Sequence, residues 1–208
     1  MHFLPGILAM AAIVVASNVL VQFLLFDGLL TWGAFSYPLA FLVTDVMNRV
    51  YGPGPARRVV LAGFVTGVIC SLIGSQVMLE FGPAVPLRIA LGSGAAFLAA
   101  QLLDVAVFDR LRAGAWWRAP LVSTLLSSTL DTALFFTIAF SATLSFGAAA
   151  DAQTAWASEA VPFLLTGPVA PLWVSLAVAD WTVKIAVALV ALVPFRLIAW
   201  HLLARRPA

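Results

Sequence analysis

Six apolar runs divide this chain, near residues 4–26, 31–51, 58–79, 89–109, 119–142 and 168–194. Each is close to the roughly 20 residues that carry an α-helix across a bilayer. The runs predict an all-α integral membrane protein, a six-transmembrane-helix bundle forming one domain over residues 1–208. The breaks suit that reading. Asp27-Gly28, Gly52-Pro53-Gly54-Pro55, Phe81-Gly82-Pro83 and the stretch from Arg110 to Arg118 separate the first five runs. Glycine is too free for a helix, and proline lacks the N–H. The longest break, Gly147 to Thr166, holds Asp151 and Glu159 and has room for a short surface helix. The first run lacks a preceding basic stretch and is long enough to span, so it reads as a membrane helix and not a signal peptide.

Composition agrees. The chain is 63% hydrophobic and 10% charged, with a mean hydropathy of +1.07. A soluble domain of this size needs more polar surface. A net charge of +2 gives no reason to expect a nucleic-acid partner. The single cysteine, Cys70, excludes a disulfide framework and a cysteine metal cluster. His2 and His201 lie at opposite ends, outside the runs.

Arginine placement orients the bundle. Arg49, Arg57 and Arg58 flank the second break, and Arg110, Arg112 and Arg118 flank the fourth. Arg196, Arg205 and Arg206 follow the last run, whereas Asp27, Glu80, Asp151 and Glu159 fall on the opposite side. Basic residues concentrate in cytoplasmic loops, so both termini are expected in the cytoplasm, as an even number of spans requires. Trp32, Trp156 and Trp173 would mark the outer interface, and Trp116, Trp117 and Trp200 the inner one. Spans two and four end alike, with Asp45-Val46 before Asn48-Arg49 and Asp104-Val105 before Asp109-Arg110. A repeated hairpin or convergent helix ends would each produce that.

Four carboxylates interrupt the runs: Asp45, Asp104, Asp131 and Asp180. Each costs up to about 2.5–3.5 kcal/mol near the bilayer centre, so all four are expected to face the bundle interior. Asp131 and Asp180 fall near mid-depth, Asp45 and Asp104 nearer the cytoplasm. Residues three or four apart on a helix are neighbours. Asp45 therefore shares a face with Asn48 and Arg49, and Phe41 and Tyr37 continue the stripe. Gln101 neighbours Asp104; Ser127, with Ser128 beside it and Thr124 one turn back, neighbours Asp131; Asn18 neighbours Gln22. Asp180 precedes Lys184 by four, the better order for a helical ion pair. Pro38 is expected to open a backbone hydrogen bond and kink the second span.

Structural roles compete with binding ones. Asp180–Lys184 reads as a neutralising pair that eases insertion, and Asp104 as a partner for Arg110 or for a neighbouring helix. Asn18 and Gln22 suit interhelical glue, and Arg49 suits snorkelling to the inner interface. Asp45 with Asn48, and Asp131, carry the strongest functional reading, because neither acid has a local cation at mid-depth. Carboxylates, amides and aromatic rings suit a flat heterocycle with several N–H donors, and equally a protonatable amine or a cation pathway. Phosphate-cradle, nucleophile-elbow and zinc-protease motifs are absent, which leaves an intramembrane enzyme only its paired aspartates.

Three stretches carry a family resemblance: "WGAFSYPLAFLVTDVMNRVYGPGPARR", "AQLLDVAVFDRLRAGAWWRAPLVSTLLSSTLDTALFFTIAF" and "VADWTVKIAV". In this order they resemble the queuosine-precursor transporter family, also described as vitamin-uptake-like. The match includes Trp116-Trp117, Ala119-Pro120, Ser123-Thr124 and Asp131-Thr132, and Ser17-Asn18 is similar to the family's first span. The resemblance implies a bacterial inner-membrane importer of 7-cyano-7-deazaguanine or of its aminomethyl relative, without a cofactor. It also implies a six-helix arrangement similar to the substrate-binding subunits of energy-coupling-factor transporters. Carried over, it places Asp45, Asn48, Gln101, Asp104, Asp131, Asp180 and Lys184 at the family's polar motif positions. Many members have an acid after the asparagine; this chain has Asn48-Arg49, like another branch.

For a deazaguanine, Asp131 or Asp45 is expected to accept from the guanidine-like edge. Asn18, Asn48 or Gln101 would read the carbonyl, and Phe41, Tyr37 or Trp181 would stack on the ring. A carrier acting alone, a binding subunit with an ATP-driven partner, and an aspartate-based enzyme are the three classes left. The sequence does not indicate the ATP-driven partner, and a homo-oligomer is compatible with it.

Overall fold

The computed structural model describes residues 3–80 and 82–204. His2, Phe81, Arg205 and Arg206, used above to read breaks and charge, lie outside the described residues. The architecture is all-α: α1 (Leu4–Leu20), α2 (Gly33–Ser36), α3 (Leu39–Tyr51), α4 (Pro53–Gln76), α5 (Leu87–Leu111), α6 (Arg118–Phe140), α7 (Ala148–Ala152) and α8 (Leu172–Ala204). Three antiparallel two-stranded hairpins join some of them. β1 (Leu24–Leu25) pairs with β2 (Leu30–Thr31), β3 (Met78–Leu79) with β4 (Gly82–Pro83), and β5 (Ala160–Pro162) with β6 (Val169–Pro171).

The four helices α4, α5, α6 and α8, of 24, 25, 23 and 33 residues, are long and apolar enough to cross a membrane. α1 is apolar but has 17 residues. The second run is not one helix: α2 ends at Ser36, and Pro38 stands at the N-terminal boundary of α3. Proline has no N–H to continue the ladder, and the helix is interrupted at Tyr37-Pro38 while both keep helical dihedrals, as the expected kink requires. The first run also ends early, at Leu20, because Asp27-Gly28 turns its last residues back into the first hairpin. Phe26, Asp27 and Gly28 all have positive φ there. α4 starts at Pro53, five residues before the expected 58, because proline suits a first helical turn where no partner for its nitrogen is needed. α8 continues through Pro194 to Ala204, ten residues past the expected end.

The hairpins gather at one end of the bundle. Gln22 Nε2 donates to the Ala84 carbonyl at 3.3 Å, joining the first two, and α8 meets both β2 and the third hairpin. Asp27, Glu80, Asp151 and Glu159 belong to this end. The tight turns at Gly52 and at residues 112–117 form the opposite, basic end. Apart from Arg88, which pairs with Asp151, and Asp109, which pairs with Arg112, charge is therefore segregated between the two ends.

α3 is the shortest of the long elements and the most enclosed, packed by α1, α4, α5 and α8. Its apolar residues join two cores, Met47 with Met10, Val59, Val60 and Phe97, and Val46 and Val50 with Phe108 and Phe195. Phe136, Ala139, Phe140 and Ala157 form a third core below the acidic end. α4 and α8 instead turn Leu61, Val65, Leu72, Ile73, Val190, Val193 and Leu197 outward. Such faces aggregate in water and are the natural surface in lipid.

Gly52 holds the hinge between α3 and α4 at φ 89° and ψ 176°. That region is essentially restricted to glycine, and a side chain there costs on the order of 1–3 kcal/mol. Gly52→Ala should lower the unfolding midpoint in detergent accordingly, whereas Gly54→Ala, with open space around it, should do little.

Candidate functional site

Two polar layers cross the apolar interior. The layer nearer the acidic end centres on Lys184 of α8. Its ammonium donates to Asp131 Oδ2 at 2.7 Å, to Thr132 Oγ1 at 3.1 Å and to Asp180 Oδ2. Tyr37, at the α2–α3 break, donates its hydroxyl to the other Asp131 oxygen at 2.9 Å, and Lys184 Nζ lies 5.5 Å from the Tyr37 ring centre. Thr132 Oγ1 donates to Asp180 Oδ2 at 3.2 Å. The expected Asp180–Lys184 pair is thus part of a triad. Asp131 has no cation on its own helix, as expected from sequence, but it does have one from elsewhere in the chain. That cation comes from another helix 53 residues along the chain, which spacing within one helix cannot reveal. Each carboxylate reaches the ammonium, and burying a charge requires such pairing.

The layer nearer the basic end joins α3, α5 and α6. Thr44 Oγ1 donates to Gln101 Oε1 at 2.6 Å, and Asn48 Nδ2 to the Val105 carbonyl at 2.9 Å. Asp45 accepts only long contacts, from Ser123 Oγ at 3.4 Å and Thr124 Oγ1 at 3.3 Å. Asp104 faces Asp45 and Ser123. It does not hold Arg110, which is exposed at the basic end. Among the described residues, no hydrogen bond is directed at either Asp104 oxygen, Asn48 Oδ1, Gln101 Nε2, Ser127 Oγ or Ser128 Oγ, although all are buried. Buried polar atoms are nearly always paired, so this concentration sets the layer apart from the rest of the interior.

The other expected residues divide. Phe41 is buried and lines, with Asp45, Thr124, Pro120, Ala188 and Phe195, a cavity of about 10 Å³ between α3, α6 and α8. That is room for about one water. Trp181 does not enter the interior: it is 40% exposed and its indole N–H donates to Thr129 Oγ1 at 3.0 Å. Asn18 donates to the Val14 carbonyl of its own helix at 2.9 Å and joins neither layer. Arg49 reaches outward to the Arg112 and Trp116 carbonyls, at 2.7 and 3.5 Å, as snorkelling requires.

Three contributors were not legible in the sequence. Thr44 bridges α3 to α5. Arg112 donates to the Asn48 and Arg49 carbonyls at 3.0 and 3.3 Å, capping α3 where Gly52 ends it. Arg88 is buried, donates to the Ile138 and Ser141 carbonyls at the end of α6, and reaches Asp151 Oδ1 at 3.2 Å. Its signal was that it alone of the arginines sits among acidic breaks.

Asp151, in the short α7 between α6 and α8, also accepts from Ser145 Oγ at 2.6 Å and the Phe146 N–H at 3.1 Å. These contacts, the Ser145 hydroxyl first, hold its carboxyl below the usual carboxylate range. A depressed carboxylate stabilises the fold above its unfolded value and loses that contribution as pH falls. The gap in unfolding temperature between wild type and Asp151→Asn should be open at neutral pH and close as pH drops below about 4.

The family model described as "Putative vitamin uptake transporter" matches residues 31–199. A queuosine precursor transporter of Escherichia coli is 32% identical over 190 residues, covering 86% of this chain and 76% of that protein. A probable queuosine precursor transporter of Haemophilus influenzae is 38% identical over 122 residues, covering 53% of this chain and 52% of the relative. One of Bacillus subtilis is 35% identical over 130 residues, covering 53% and 56%. No solved structure matches the chain.

Proposed function

Because this chain belongs to the vitamin-uptake transporter family, we propose that it imports queuosine precursors, 7-cyano-7-deazaguanine and its 7-aminomethyl relative, across a bacterial inner membrane. It does so as a single domain without a cofactor. α1, the broken pair α2–α3, α4, α5, α6 and α8 make six crossings, with the basic end and both termini in the cytoplasm.

The observation that carries the reading is the set of unpartnered buried polar atoms between α3, α5 and α6. A deazaguanine matches it. The base offers N–H donors on one edge, a carbonyl beside them, and a flat apolar face. Asp45, whose contacts are long, accepts from the guanidine-like edge. Gln101 Nε2 donates to the carbonyl, Asn48 Oδ1 takes a further N–H, and the Phe41 ring packs on the face. Asp131 is less suited to the base, since both its oxygens already have close donors.

A cavity of about 10 Å³ does not hold a bicyclic base. Binding therefore requires α6 and α8 to part from α3. The break at Pro38 supplies the joint, as discontinuous helices do in other transporters. The wall opposite Asp45 is Ala188, Ala191 and Leu192, which hold no hydrogen bond to α3, whereas parting α6 from α3 gives up the long Ser123 and Thr124 contacts to Asp45 and the Tyr37–Asp131 bond.

The test is uptake of labelled 7-cyano-7-deazaguanine into vesicles containing this chain alone. Accumulation without any ATPase supports a self-sufficient carrier. Saturable binding without uptake would move it to the binding-subunit class, and a chemically altered base inside the vesicles to the enzyme class.

A further inference from the structure

Asp45 on α3 and Asp104 on α5 lie between the two hydrogen bonds that join these helices, Thr44 to Gln101 and Asn48 to the Val105 carbonyl, and are 3% and 0% exposed. Like charges so placed in a medium of low dielectric ionise together only at a cost, which favours a proton between them.

Among the described residues, no cation donates a hydrogen bond to either acid. α6 offers the Ser123 and Thr124 hydroxyls. α8 presents Ala188 and Phe195, and its Lys184 is held by Asp131 and Asp180. The buried side of α4 is apolar, and α5 adds the Gln101 amide. On α3, Arg49 lies one turn from Asp45 and feels its charge, but its guanidinium is turned away to the Arg112 and Trp116 carbonyls.

Two further observations point to an occupant. Asp104 is fully buried with no hydrogen bond directed at either oxygen, a bare carboxylate if ionised and an ordinary neutral acid if protonated. The cavity of about 10 Å³ touches Asp45, giving one water a place from which a proton is delivered or removed.

We propose that Asp45 and Asp104 together hold one exchangeable proton, and that this proton crosses the membrane with the base. The proposal deepens the reading above and rests on Asp45 as the base contact. Asp45 accepts the N–H donors of the base as a carboxylate while Asp104 keeps the proton as a neutral acid. When the bundle opens to the cytoplasm and the base leaves, water reaches the pair and takes the proton. Reopening outward lets the pair take another from the outer phase. Only O–H bonds form and break, and each cycle moves one proton inward.

Two measurements test it. Infrared spectra of the purified protein at neutral pH should contain a protonated-carboxyl band that shifts in heavy water and loses intensity in Asp104→Asn. In vesicles, an inside-alkaline gradient should raise the rate of 7-cyano-7-deazaguanine uptake several-fold, and a protonophore should remove that gain. Uptake by Asp104→Asn should no longer respond to the gradient. Wild-type uptake indifferent to the gradient would overturn the coupling, and equal bands in wild type and variant would overturn the proton site. Vesicles that take up no base at all would overturn the transport reading instead, with the infrared result still deciding whether the pair holds a proton.

Discussion

Lys184→Met should cost about 3–5 kcal/mol of stability, the largest effect expected of any single substitution in this chain. The ammonium is the shared partner of Asp131 and Asp180, and all three side chains are largely buried. Removing it strands two carboxylates where water does not reach. Yield in the membrane and the unfolding midpoint in detergent should both fall sharply. Removing the whole triad, as Lys184→Met with Asp131→Asn and Asp180→Asn, should recover most of the loss. A neutral set of similar volume has no charge left to desolvate, and buried pairs are often replaced at little cost. If Lys184→Met were as stable as wild type, the triad would not be the brace between α6 and α8 that its geometry describes.

Asp45→Asn should behave in the opposite way. It keeps the volume of the side chain and removes one of two facing acids, so stability should hold or rise. Base binding should weaken, because a hydrogen bond to a charged acceptor is worth about 1.5–3 kcal/mol, roughly ten- to a hundredfold in affinity. The two substitutions thus separate a layer that holds the bundle together from a layer kept at some cost to stability. Polar atoms left unpartnered are a familiar compromise at sites that serve function.

Much of this was legible in the sequence, for identifiable reasons. Hydrophobic runs and Gly/Pro punctuation found the helices, since both act locally. The faces shared by Asp45 and Asn48, and by Gln101 and Asp104, follow from helical geometry, and α3 and α5 do bring these four residues into one layer. Depth along each helix also separated that layer from Asp131 and Asp180.

What the sequence hid is long-range or conformational. Asp131 has no cation on its own helix, and spacing within one helix does not reveal its partner on α8. Trp181 follows directly after Asp180, and consecutive residues on a helix point to different sides, so it faces outward while Asp180 faces in. Asn18 satisfies itself on its own helix, an option open to any asparagine in an apolar segment. Arg88 and Arg112 cap helix ends that are remote in sequence, and nothing local announces such pairings.

The measurement that bears most directly on the central claim is calorimetric binding of 7-cyano-7-deazaguanine to the purified protein, beside Asp45→Asn, with guanine and adenine as competitors. The account predicts saturable binding by wild type, poor competition by either purine, and an affinity roughly ten- to a hundredfold lower in a stable Asp45→Asn protein. Undiminished binding by Asp45→Asn, or no binding by folded wild type, would contradict it.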